Sequence, residues 1–131
     1  MIAGDDRRGA AVRCRAARLV ARSKLLAASG SRGDALTTAR EAVSLAPGAP
    51  APLEQVAALV TDTGDATALA AAVDDLARAF PDGASTSYYR AVQAILAGSA
   101  ASAMIHAEQA IARDPGYAPV YDLAGAALTR L

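Results

Sequence analysis

The chain has 131 residues, zero formal net charge, and a composition that is 53% hydrophobic but only 4% aromatic, with no Trp and one Phe. Neutral balance excludes a globally basic nucleic-acid binder and an acidic tail protein, and one cysteine excludes an internal disulfide or a cysteine metal cluster. No apolar run reaches the ~18 residues that a membrane span needs, and much of the hydrophobic content is alanine, so the expected core is thin and depends on close helix approach.

Residues 1–9 show no periodicity, contain Gly4 and Gly9, and read as a disordered lead or linker. From Ala10 the pattern becomes helical, with Leu19, Val20, Leu25 and Leu26 forming an apolar face up to Ser29 and Gly30. This first segment is basic: residues 1–24 hold seven Arg or Lys against Asp5 and Asp6. Arg15, Arg18 and Arg22 share one helical face, which reads as solvated rather than nucleic-acid-binding because no aromatic side chains interleave with them. Cys14 lies between Arg13 and Arg15 and reads as an incidental thiol. The lone cysteine and the lack of a secretory leader place the chain in a reducing cytoplasm. Arginine far outnumbers lysine and alanine abounds, a bias associated with GC-rich bacterial coding.

Gly30 suits the left-handed residue that ends a helix, and Ser31 with Asp34 has the spacing of a capping box. The next helix carries Ala35, Leu36, Ala39, Ala42, Val43 and Leu45 at threes and fours and stops before Pro47. The same grammar returns with Leu53, Val56, Ala57 and Val60, a stop at Gly64, a cap at Asp65, and a stripe of Leu69, Val73, Leu76 and Phe80. It returns again over 84–97 and 100–113, the latter with Ala103, Met104, Ala107, Ala110 and Ile111 inward. For the helix at 84–97 two rotations stay open: Ser87, Arg90, Ala91 and Ala94 inward by strict repetition, or Tyr88, Ala91, Val92 and Ile95. Tyr121, Ala124, Gly125 and Leu128 then begin a fourth copy.

The spacing is fixed. Gly30, Gly64 and Gly98 are 34 residues apart, as are Ser31, Asp65 and Ser99, and Pro47, Pro81 and Pro115. Small residues keep the same step: Ser23, Ala57, Ala91 and Gly125 on first helices, and Ala35 with Ala103 and Ala42 with Ala110 on second helices. On these columns the chain resembles tetratricopeptide repeats. Leu69 and Leu76 depart from the small columns, and Arg22 and Arg90 stand where the family has apolar residues.

The resemblance implies an all-α fold of antiparallel helix-turn-helix repeats stacked in a right-handed superhelix, an α-solenoid. Its domain would run over 10–131, with repeats at about 16–49, 50–83 and 84–117 and a terminal helix at 118–131. It also implies a concave groove lined by first helices that holds a peptide or helix of a partner protein, with neither enzyme chemistry nor cofactor. The 34-residue step maps that groove onto Val20, Glu54, Tyr88 and Asp122, then Lys24, Ala58, Val92 and Ala126, then Ala27, Thr61, Ile95 and Thr129, with Asp62 adding acidity. It is apolar around the third copy and acidic or polar around the second, which suits a partner with an apolar anchor beside a basic or polar group. The alternative is that Tyr88 and Ile95 are core. The family's carboxylate clamp is absent, since its places hold Val20, Lys24, Gln55, Ser85 and Tyr89.

His106 has no converging partners for a metal site or a triad and reads as an exposed polar residue. The terminal helix has a second apolar line through Val120, Leu123, Ala127 and Leu131. Three readings stay open for it: a face covered by a further helix of a longer protein, a cap, or a homodimer interface. The sequence thus predicts a non-enzymatic protein-interaction module, with self-assembly through the terminal helix as the alternative. No catalytic or metal residues, nucleic-acid partner or membrane span are expected.

Overall fold

The computed structural model describes residues 2–131, with side-chain surroundings from residue 7 onward. Among them are seven α-helices: α1 (Ile2–Ala28), α2 (Arg32–Leu45), α3 (Pro50–Thr63), α4 (Ala66–Ala79), α5 (Ala84–Leu96), α6 (Ala100–Arg113) and α7 (Pro119–Arg130). They form two compact units, residues 1–62 and 63–131.

The breaks lie where the 34-residue step puts them. Gly30, Gly64 and Gly98 have φ of 90°, 71° and 82°, the left-handed region that lets a helix end without a Cβ clash. At two of these ends the chain closes a Schellman turn, in which Ser31 N–H donates to Leu26 O at 2.8 Å and Ser99 N–H to Ala94 O at 2.9 Å. That turn overturns the capping box expected at Ser31. Ser31, at φ −88° and ψ 65°, leaves the extended geometry that aims a side chain at the first-turn amides, and makes no cap bond. Asp65 keeps an extended backbone and accepts from Ala68 N–H at 3.1 Å, as expected.

The lead expected over residues 1–9 is also corrected. From Ile2 onward the backbone is helical, and Met1 lies outside the described residues. Gly4 and Gly9 each cost only about 1 kcal/mol in a helix, too little to stop one that continues into a run of alanine and arginine. Among the side chains described on this helix, Ala16 is the first that is buried.

In the first unit α1 and α2 pack together: Ala16, Val20 and Ala42 form one cluster, with Leu19 and Leu45 against it. Ala35, Ala39 and Leu59 form a second, joined by Leu26, Leu36 and Val56. Ser23 is fully buried, donates to Ala35 O at 2.7 Å and accepts from Gln55 Nε2 at 3.2 Å, so both hydroxyl functions are used. In the second unit α5 packs on α4 and α6, and α7 packs on both α5 and α6. Ala91, Ala107, Ala110 and Val120 make the cluster there, all fully buried. The stripe read on α4 is inward at Leu69, Val73 and Leu76, with Phe80 half-buried at the helix end.

Neither of the two rotations left open for α5 holds by itself: strict repetition buries Ser87 and Ala91 but leaves Arg90 and Ala94 half-buried, and the rotated one buries Ala91 and Val92 but leaves Tyr88 and Ile95 half-buried. Ser87 is tolerated because Arg113, at the end of α6, donates to its Oγ at 2.7 Å. The same guanidinium reaches Pro81 O at 3.4 Å and Asp82 at 3.6 Å, tying α6 to the turn that precedes α5. Val92 is buried as well, so the inward arc is wider than one column.

Alanines with no exposed surface leave no room for a larger side chain. Ala107→Leu is expected to destabilise the chain by about 1–3 kcal/mol through overpacking, read as a lower urea midpoint. Ala101→Leu, on the exposed face of the same helix, is expected to change stability by less than about 0.5 kcal/mol.

Candidate functional site

The residues expected to line a groove fall in both units, and their exposure differs. On α3, Glu54, Ala58 and Thr61 share one face at steps of four and three, all half-buried, with Asp62 exposed beside them. The Thr61 hydroxyl donates back to Ala57 O at 2.8 Å within the helix. On α1, Lys24 is exposed, but Val20 keeps only 6% of its surface and belongs to the α1–α2 cluster. Val20 is therefore withdrawn from the partner surface, because Ala16 and Ala42 leave a space that its side chain fills.

In the second unit Tyr88 lies half-buried over the Ala91–Val120 cluster. Its ring stands edge-on to Tyr89 at 4.9 Å and to Tyr117 at 5.5 Å between centroids. Both readings of Tyr88 thus describe it: one side is core, the other faces outward. Ile95 is half-buried and Asp122 exposed, while Val92, at 6% exposure, is withdrawn as Val20 is.

The line proposed for self-association is corrected more sharply. Val120 and Ala127 are fully buried and Leu123 packs against the α5–α6 cluster, so this line faces inward; Leu131 alone of the four is exposed. Of the face expected to be inward, Tyr121, Gly125 and Leu128 are outward, while Ala124 packs against the same cluster. The cause is the neighbour. Among the described residues α7 packs on α5 and α6, through Val120 and Leu123, whose columns on α5 hold the buried Thr86 and Tyr89. Tyr121 Oη donates to Pro115 O, which holds the ring over the turn before α7.

No metal-binding group of His, Cys, Asp or Glu occurs among the described residues, and none of their helices is long and apolar enough to cross a membrane. Cys14 is exposed and unpaired on α1. His106 is half-buried, with Nδ1 3.2 Å from Gln109 Oε1. One grouping escaped the sequence reading. Arg90, noted as a departure and as an inward candidate of one rotation, and His106, noted as isolated, line one depression between α5 and α6 together with Gln93. The signal was present in the columns, since all three are polar where the second copy has Val56, Leu59 and Ala72.

Comparison with known proteins supports the fold and does not extend to chemistry. No family model matches the chain, and no curated protein matches it significantly by sequence. Among solved structures it is similar to a Thermobaculum terrenum O-GlcNAc transferase carrying the K341M mutation, at 16% identity and a TM-score of 0.74. That match covers 88% of this chain but only 22% of the transferase. It is also similar to the first TPR domain of human RPAP3, at 9% identity and a TM-score of 0.76, covering 90% of this chain and 93% of that one. The agreement with a whole TPR domain joins the 34-residue columns, the glycine-ended helices and the alanine contacts, and the chain has the tetratricopeptide-repeat fold.

Proposed function

We propose that this chain is a non-enzymatic protein-interaction module that holds a peptide or helix of a partner against the first helices of its repeats. The observation that carries the reading is Tyr88, an aromatic side chain anchored on one side by the alanine cluster and by Tyr117 and open on the other. Aromatic anchors held rigid in this way lose little entropy on binding and are over-represented among residues that dominate binding energy. The half-buried face of Glu54, Ala58 and Thr61 adds an acidic and polar strip in the first unit. The partner favoured is a segment with an apolar anchor and a basic group. The cytoplasm is its setting in this reading, supported by an exposed cysteine without a disulfide.

Peptides selected from a displayed random library against the whole chain test this. Tyr88→Ala is expected to weaken the selected peptides at least tenfold, about 1.4 kcal/mol or more, and Glu54→Lys to weaken those that carry a basic group, both with unchanged helicity. Selected peptides that bind both variants as they bind the parent would remove the groove assignment.

A second reading is self-assembly through α7. It is favoured by Tyr121, Leu128 and Leu131, which remain 48%, 60% and 69% exposed on a terminal helix. Here Leu128→Glu is expected to turn a concentration-dependent oligomer into a monomer in light scattering. A parent chain already monomeric across the full concentration range rules this reading out.

A further inference from the structure

The repeat carries its own control experiment, because the second and third copies place the same positions on the same kind of helix. In the second copy Val56, Leu59, Val60 and Ala72 are apolar, and all but the half-buried Val56 are buried. The residues 34 positions later are Arg90, Gln93, Ala94 and His106, all half-buried. Exchanging a valine for Ala94 removes volume, and the other three exchanges replace apolar walls by polar ones.

All four later residues, with Ala97, line one depression of about 470 Å³ between α5 and α6. A smaller one of about 200 Å³, between α4 and α5, is lined by Ala66, Leu69, Leu96, Gln93 and Ala97. Gln93 and Ala97 belong to both, so the two hollows adjoin across α5. One chamber carries Arg90 and His106, and the other is apolar apart from Gln93. Arg90 makes neither an ion pair nor a hydrogen bond among the described residues. A half-buried guanidinium without a carboxylate has lost part of its hydration with no compensating partner, which an incoming anion would supply.

We infer that these joined hollows are a second binding site, which takes an extended peptide segment carrying a carboxylate side chain at the Arg90 end and an aliphatic side chain at the Leu69–Leu96 end. Charge complementarity selects the acid and the apolar lining selects the aliphatic group. Their separation follows from α5: Arg90 and Leu96 are six residues apart, about 9 Å along the axis at ~1.5 Å per residue. An extended chain of the polyproline-II kind, with three residues per turn at ~3.1 Å each, covers that distance in about three residues and brings i and i+3 to one face, so the pattern is aliphatic-x-x-acidic in one chain direction or the other. The site is independent of the groove. At ~100° per residue the line of Arg90, Gln93 and Ala97 runs on the opposite side of α5 from that of Tyr88, Val92 and Ile95.

The test is a titration of the whole ¹⁵N-labelled chain, followed by amide chemical shifts. The probes are the capped hexapeptide serine-leucine-serine-serine-glutamate-serine and its reversed sequence. One of the two is expected to bind with a dissociation constant on the order of 0.1–1 mM, shifting amides around 66–69, 90–97 and 106. Arg90→Val and Ala94→Val each restore the second-copy residue, so they should keep full helicity by circular dichroism while weakening the peptide at least tenfold. Glutamine in place of the peptide's glutamate should do the same, and Tyr88→Ala should leave the affinity unchanged. The site is overturned by an absence of saturable shifts with both peptides, by undiminished binding to Arg90→Val, or by equal binding of the glutamine peptide. Equal binding of sodium acetate would overturn the apolar half, and shifts centred on Tyr88 and Ile95 would assign the peptide to the groove instead.

Discussion

The structure depends on how closely pairs of helices approach when the residues between them have almost no side chain. Ala35, Ala39, Ala42, Ala57, Ala91, Ala103, Ala107 and Ala110 all have no exposed surface, and they recur at the repeat step or at helical spacing within it. Alanine contributes little transfer energy, so these contacts hold the fold through dense packing rather than through large buried area. A backbone-to-backbone contact of that kind has two stable answers to a change of residue. It accepts another small residue, or it accepts a larger one where the facing helix gives way. The leucines of α4 illustrate the second: Leu69 and Leu76 are buried, and α5, which packs on α4, buries Ser85, Thr86 and Ser87.

Small polar residues enter such a contact only with their hydrogen bonds completed. Ser23 occupies the column of Ala57 and Ala91, and its hydroxyl is bonded on both sides, to Ala35 O and to Gln55. Thr86 donates to Phe80 O at 2.7 Å, and Ser87 accepts from Arg113. Among the described residues no buried side-chain nitrogen or oxygen lacks a partner. The Gln55–Ser23 bond joins α3 to α1, and the others join a helix to the element before or after it, so the polar exceptions add direction to an interface whose alanines would otherwise allow sliding.

Much of this was legible in the sequence because it is periodic. Glycine at a left-handed position and proline after a helix act locally, and repetition removed the ambiguity that any single instance would have. Features that depend on which neighbour is present were not legible. Whether Ser31 caps α2 depended on the Schellman turn that occupies its backbone. Which side of α7 is covered depended on its packing against α5 and α6, which buries Val120 and Ala127 and leaves Tyr121 and Leu128 out. Val20 and Val92 were assigned to the groove by the 34-residue step along first helices; that step fixes position along the helix, while neighbouring volume decides burial.

The third copy shows how a repeat acquires chemistry without changing its backbone. α5 holds two opposed lines, one through Tyr88 and Ile95 and one through Arg90 and Gln93, and both break the pattern set by the second copy. Where the second copy has Glu54, the third has Tyr88, packed edge-on to Tyr117; where it has Val56 and Leu59, the third has Arg90 and Gln93. The helices around them are anchored by Ala91, which keeps the Ala57 of the second copy, and by Ala107 and Ala110, where the second copy has Val73 and Leu76. Stability in a repeat array is close to a sum over neighbouring contacts, so a copy that keeps its small column intact tolerates polar replacement elsewhere on the same helix. The alanine column and the variable faces of α5 are thus separate parts of one element, the first fixing the geometry on which the second depends.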